Sequence, residues 1–148
     1  MENSNDPLDS ADRKILAILQ REGRLGGAEI GRRVNLSQPA VSARIKRLEE
    51  RGVITGYRAL VDPSALGFAL HTVVRLRTTQ ANIPPALELF ATMPEITRIY
   101  RLTGEDCFFL DLHVADAGRL ETLVDRIAKF GPVTTSLVLR DYTAPGLV

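Results

Sequence analysis

The hydrophobic spacing of this chain changes once, near Asp62-Pro63, and that change constrains the fold more than any other feature. Before it, apolar residues recur at three- and four-residue intervals, the period of a helix. After it, alternating runs with the period of a strand are separated by two helical stretches. A chain of 148 residues with such a switch predicts two small domains of different kinds. At 45% hydrophobic and 25% charged residues, it has enough apolar side chains to give each a core.

The first part reads as three helices. Asp9 is placed to cap a helix through Arg21 with an apolar stripe of Ile15, Leu16, Ile18 and Leu19, and Gly23 ends it. A short second helix near residues 27–34 buries Ile30 and Val34, and its start at Gly26-Gly27 is a weak cap. Asn35-Leu36 makes a tight turn, Ser37 caps a third helix, Pro39 fits its first turn, and Gly52 stops it after Arg51. Residues 53–61 are expected as a strand serving as a wing or arm. In the second part, strands are expected at 70–78, 96–102, 107–114 and 133–141. Pro84-Pro85 opens a helix with Leu87 and Phe90 as its stripe, closed by Met93-Pro94. A helix over 118–130 buries Leu120, Leu123, Val124 and Ile127. The order β-α-β-β-α-β is the ferredoxin-like split unit. The expected fold is α+β: an N-terminal winged helix-turn-helix at 1–61 with a loose tail at 1–8, a linker at 62–68, and a ferredoxin-like domain at 69–148.

Charge divides along the same line. Residues 11–60 hold eleven Lys/Arg against five Asp/Glu, a net +6, whereas residues 61–148 hold eight against ten, a net −2. A basic first part implies a polyanionic partner there. In the third helix, Val41, Ile45 and Leu48 fall on one side and pack inward. The other sides carry Gln38, Ser42, Arg44, Lys46 and Arg47, the layout of a recognition helix lying in the major groove of double-stranded DNA. Gln38 can pair with adenine, Ser42 can donate or accept, Arg44 or Arg47 can reach guanine or phosphate, and Lys46 suits a phosphate. With Ser37 and Pro39 at the helix start, these are the candidate DNA-binding residues. A basic amphipathic helix is also commonly a solvated surface; the turn, the cap and the two preceding helices favour the DNA reading.

Four runs resemble the Lrp/AsnC (leucine-responsive and asparagine-responsive) transcription regulators: LDSADRKIL at 8–16, EGRL at 22–25, LSQPAVSARIKRLEERGVITGY at 36–57 and VDPSALG at 61–67. The similarity continues over the β-α-β-β-α-β half. One departure is Gly26-Gly27, where the family usually has a Ser or Thr cap. The resemblance implies a sequence-specific regulator that dimerises, assembles further into tetramers or octamers, and binds a small effector, usually an amino acid, where dimers meet. It places that effector at the turn Thr103, Gly104, Glu105 and Asp106; Thr134, Thr135 and Ser136, at the start of the last strand, are polar residues able to complete the shell from a neighbouring subunit. The chemistry suits this: backbone N–H groups at Gly104 can hold a carboxylate, and Glu105 or Asp106 an ammonium. The plainer reading of these four residues is a β-turn whose Gly and Asp serve turn geometry.

Both helices of the split unit cover one sheet face, so the other face is solvated or covered by a partner. Alternation puts His71, Val73, Arg75, Arg98, Tyr100, Cys107, Phe109, Asp111 and His113 there. This mixture reads as a homodimer contact. His71 and His113 are the only histidines. With Asp111 they raise a metal site, but the expectation is a satisfied interface pair and no metal. The single Cys107 reads as a strand residue, not a reactive thiol. Arg75, Arg77, Arg98 and Arg101 read as strand-edge or interface charges. No catalytic residue and no cofactor is expected. Two other readings stay open: a tetrapyrrole decarboxylase of the same architecture, which would use His71, His113 and Arg98, and a nucleoid-organising protein of low sequence preference. The first ten residues are polar and acidic and no membrane span is evident, so the expected location is the cytoplasm, associated with the nucleoid.

Overall fold

The computed structural model describes residues 8–142; of the tail expected at 1–8, residues 1–7 lie outside them. The chain divides into two compact units, one running to Ala59 and one spanning Leu60–Tyr142.

In the first unit, α1 (Ser10–Arg21) starts where the Asp9 carboxylate accepts the Asp12 N–H at 2.7 Å. The next helix, α2 (Gly27–Val34), starts after Gly26 with no side-chain cap and ends at Asn35, whose φ of 63° is left-handed. That residue turns the chain into α3 (Gln38–Glu50), which Ser37 caps by accepting the Ala40 N–H at 3.4 Å. The turn folds back tightly, with the Leu36 N–H donating to the Gly31 carbonyl at 2.9 Å. A Cβ on Gly31 would lie 2.5 Å from the Leu36 carbonyl oxygen, so only glycine permits this approach. Ile15, Ile30 and Val41 form the core, flanked by Ile18, Leu19, Leu25, Val34, Leu36 and Ile45. Residues 53–61 carry no strand pairing, which corrects the strand expected there. A strand needs a ladder partner, and none pairs with this segment among the described residues; Tyr57, Leu60 and Val61 are exposed.

The second unit is a four-stranded antiparallel sheet in the order β2-β3-β1-β4. Its strands are β1 (Leu70–Leu76), β2 (Ile96–Arg101), β3 (Phe108–Val114) and β4 (Val133–Leu137). Helices α4 (Ile83–Phe90) and α5 (Ala117–Ile127) follow β1 and β3. Alternation is strict: Phe108, Leu110, Leu112 and Val114 are fully buried while Phe109, Asp111 and His113 are partly exposed. The core joins Val74, Leu76 and these β3 residues to Ala86, Phe90, Met93, Leu123 and Ile127. Phe90 meets Phe108 edge to face at 5.4 Å. Leu87, expected in the apolar stripe of α4, is exposed; Ala86 takes the inward position four residues before Phe90. The last strand stops at Leu137 rather than 141, because β1 begins at Leu70 and the ladder beyond has only the Val138 N–H to His71 carbonyl bond left. Cys107 falls one residue before β3, its thiol donating to the Thr78 carbonyl at 3.1 Å. Among the described residues no helix is long and apolar enough to cross a membrane.

Candidate nucleic-acid interface and ligand site

The outer surface of α3 is built from residues four apart. Gln38, Ser42 and Lys46 form one ridge and Pro39, Ala43 and Arg47 the next, and all six are exposed, as is Ser37. The start of α2 lies against the first ridge: a Cβ on Gly27 would sit 3.5 Å from Gln38 Cγ and 3.6 Å from Ser42 Oγ. The first-turn N–H groups of α2, with no side-chain cap, therefore stand beside two polar side chains of α3. This arrangement combines helix-terminal donors for a phosphate with side chains that can reach base edges.

Arg44 is set differently from these residues. It shares a ridge with Ala40 and Leu48, which face inward. Its guanidinium donates to Asp9 at 2.6 Å and to Asp12 at 2.8 Å. Arg47 donates to the other Asp12 oxygen at 2.8 Å but keeps 44% of its side chain exposed. The Asp12 side chain is 1% exposed, so a buried carboxylate is satisfied by two cations of α3 and clamps that helix to α1. Asp12 was missed, yet the signal was present: it lies three and four residues before Ile15 and Leu16, on the buried side of α1. The Asp12 N–H first, then the Arg44 guanidinium, hold the Asp9 carboxyl below the usual carboxylate range. Arg33 pairs with Glu22 at 2.5 Å and with Glu29 at 3.2 Å. Part of the basic charge thus serves the fold. Among the described residues Lys46, 76% exposed, pairs with Glu50 at 3.7 Å.

In the second unit, Thr103, Gly104 and Glu105 are exposed and Asp106 partly so. Gly104 has a φ of 101°, a value that favours glycine. Neither acid of this turn stands alone: Glu105 pairs with Arg77, and Asp106 with Arg75 at 3.4 Å. Arg75 is in register with Thr134, and Val73 with Ser136, so these four share the open face. Thr135 is in register with the buried Val74 and is itself exposed. Arg75 on β1 and Arg77 just after it, expected as edge or interface charges, pair with the two acids of the turn.

The open face also gathers His71, Arg98, Asp111, His113 and Asp141 around a hollow of about 440 Å³. His71 Nε2 contacts Asp111 Oδ1. Burial, then the neighbouring His71, pull His113 below the ordinary imidazole range.

A family model described as winged helix-turn-helix DNA-binding matches residues 8–55, and one described as Lrp/AsnC ligand binding domain matches residues 72–147. The regulator LrpA of Mycobacterium tuberculosis is 35% identical over 132 residues, 88% of each chain. The chain belongs to the Lrp/AsnC family. Like its relatives there, it is a helix-turn-helix regulator of transcription. The fold of Bacillus subtilis LrpC superposes with a TM-score of 0.86 at 26% identity, over 93% of this chain and 99% of that one. A transcriptional regulator of Neisseria meningitidis, solved in complex with L-methionine, superposes with a TM-score of 0.83 at 30% identity over 96% of both chains. These family members are named as regulators, which points away from an enzyme.

Proposed function

We propose that the chain works as a homodimer that reads duplex DNA with Ser37, Gln38, Pro39, Ser42, Lys46 and the exposed edge of Arg47, and that an amino acid bound beside Gly104 changes this reading. The observation that carries the DNA part is the uncapped start of α2 lying against Gln38 and Ser42. Donors for phosphate and side chains for bases there share one surface. The open sheet face supports the dimer: Tyr100 and Phe109 meet edge to face at 5.8 Å among charged neighbours, too apolar a patch to leave in water. Two recognition helices then meet two half-sites about 34 Å apart.

For the effector, the pairing of Arg75 with Asp106 at 3.4 Å offers opposite charges side by side. A zwitterionic amino acid entering there gives its carboxylate to Arg75 and its ammonium to Asp106, with Thr103, Glu105, Thr134 and Ser136 nearby. Relatives solved with L-methionine make that amino acid the first to titrate. Assembly of dimers into larger rings would place this turn between them.

The test is selection of genomic fragments by the purified full chain at near-physiological salt, with and without L-methionine. Recurrent pseudo-palindromic sites are expected. Broad, salt-sensitive enrichment without a motif would replace specific regulation with nucleoid organisation, and no enrichment would remove the DNA reading. One observation favours a second reading: His71, His113 and Arg98 line the same hollow, as a tetrapyrrole decarboxylase would need. A Soret band that shifts on mixing a sirohaem-type tetrapyrrole with the chain would support it, and an unshifted band would exclude it.

A further inference from the structure

The hollow on the open sheet face holds a side-chain cluster that neither DNA reading nor the effector turn uses. The β1–β3 register sets His71 directly opposite His113. Asp111, two residues before His113, projects from the same face. The two imidazoles lie parallel, with centroids 4.3 Å apart and planes at 10°. One ligand-type atom from each of His71, Asp111 and His113 lies within 4.8 Å of the others, and all three residues are half-buried. They stand on the two central strands of the sheet, so ladders on both sides fix their backbones.

We propose that His71, Asp111 and His113 form a binding site for a divalent first-row transition-metal ion, with Zn²⁺ as the probe ion of choice. Two imidazoles and one carboxylate are ligands for such ions, and three protein ligands leave positions open for water or a further donor. Thr97 orients one of them. Its hydroxyl donates to the Asp111 carbonyl at 3.1 Å, so in its 3.5 Å contact with His113 Nδ1 the hydroxyl oxygen accepts the ring N–H. His71 Nε2 and Asp111 Oδ1 are already in contact, so two of the ligand-type atoms stand together without rearrangement. The charge balance fits. Asp111 and Asp141 set two negative charges against the single positive charge of Arg98 around the hollow. Tetrahedral ligation at about 2.1 Å per bond places donors about 3.4 Å apart, so side-chain torsions alone close the present spacing. Every ligand comes from one chain, and the inference stands whether or not a second copy covers this face.

The test uses the full-length chain without a polyhistidine tag, stripped with chelator and titrated with Co²⁺, then Zn²⁺. One Co²⁺ per chain is expected, with visible d–d absorption that Zn²⁺ displaces and with proton release. Asp111→Asn and His113→Gln are expected to weaken binding by at least about tenfold, with unchanged circular dichroism. His71→Gln, which keeps size and polarity, serves if either variant unfolds. Absence of a d–d band in the native chain at millimolar Co²⁺, or an unchanged titration in the folded variants, overturns the site. Fragment selection reads the DNA function separately from either outcome.

Discussion

Arg44 and Lys46 stand two residues apart on one basic helix and do different things. Arg44→Ala removes two contacts to acids of α1; the expected result is a lower unfolding midpoint with an unchanged salt slope of DNA binding. Lys46→Ala removes an exposed charge; the expected result is an unchanged midpoint and a salt slope reduced by about 0.9. Identical behaviour of the two variants in paired urea and salt titrations would overturn the division. Asp12→Ala leaves two guanidinium groups without their shared buried partner, and about 3 kcal/mol of stability should be lost, measured by denaturant unfolding. Asp9 links stability to pH. Its folded carboxyl titrates below its unfolded value, so its contribution is present above about pH 4 and is lost as pH falls through the folded value. The gap in urea midpoint between the native chain and Asp9→Asn should narrow in that window; a constant gap down to acid unfolding would show that the charge is idle. Gly104→Val forces a β-branched side chain into a φ of 101°. It should abolish any ligand-induced change in DNA binding while leaving unliganded binding intact, and a normal L-methionine titration would place the effector elsewhere.

At the scale of elements, the turn between α2 and α3 rests on Gly31. Gly31→Ala puts a methyl group 2.5 Å from the Leu36 carbonyl oxygen, so helix or turn must shift. A loss of about 1–3 kcal/mol is expected, with weaker DNA binding because Ser37 and Gln38 move with the turn. An unaltered thermal unfolding curve would mean the turn yields at no cost. Gly26 is the opposite case. Its backbone is extended and a Cβ there meets nothing within 4 Å, so Gly26→Ser supplies the missing cap. The expected gain is a few tenths of a kcal/mol. Residues 53–61 show why an apolar alternating run is not sufficient for a strand. The ladder is a property of two segments, and the pattern of one segment states only that it is able to join.

At the scale of the whole molecule, the proposed homodimer rests on the open face of the sheet. Phe109→Asp sets an unpaired carboxylate in a contact that two copies would bury, at a cost of about 3 kcal/mol. Sedimentation should show a monomer, and DNA affinity should fall because the two helices no longer act together; an intact dimer would place the contact on another surface. The order of elements, the helix boundaries set by Asp9, Ser37 and Asn35, and the strict alternation along β3 were legible in the sequence because caps and periodicity are local. So was the exposed ridge of Gln38 and Ser42, through its four-residue spacing. The pairing of Arg44 with Asp9 and Asp12, across more than thirty residues, was not. Net charge counts cations without saying which ones the fold itself neutralises. Nor did the spacing Asp111-x-His113 reveal that His71 lies across from it. Register between β1 and β3 is fixed by burying Val74, Leu76, Leu110 and Leu112 together on one face, and the polar residues on the other face fall where that burial puts them. Sequence alone determined the order of the helices and paired strands and most of the inward-facing positions. Only the packing of those elements decided which charges cancel, which stay exposed on α3, and which three side chains meet over the sheet.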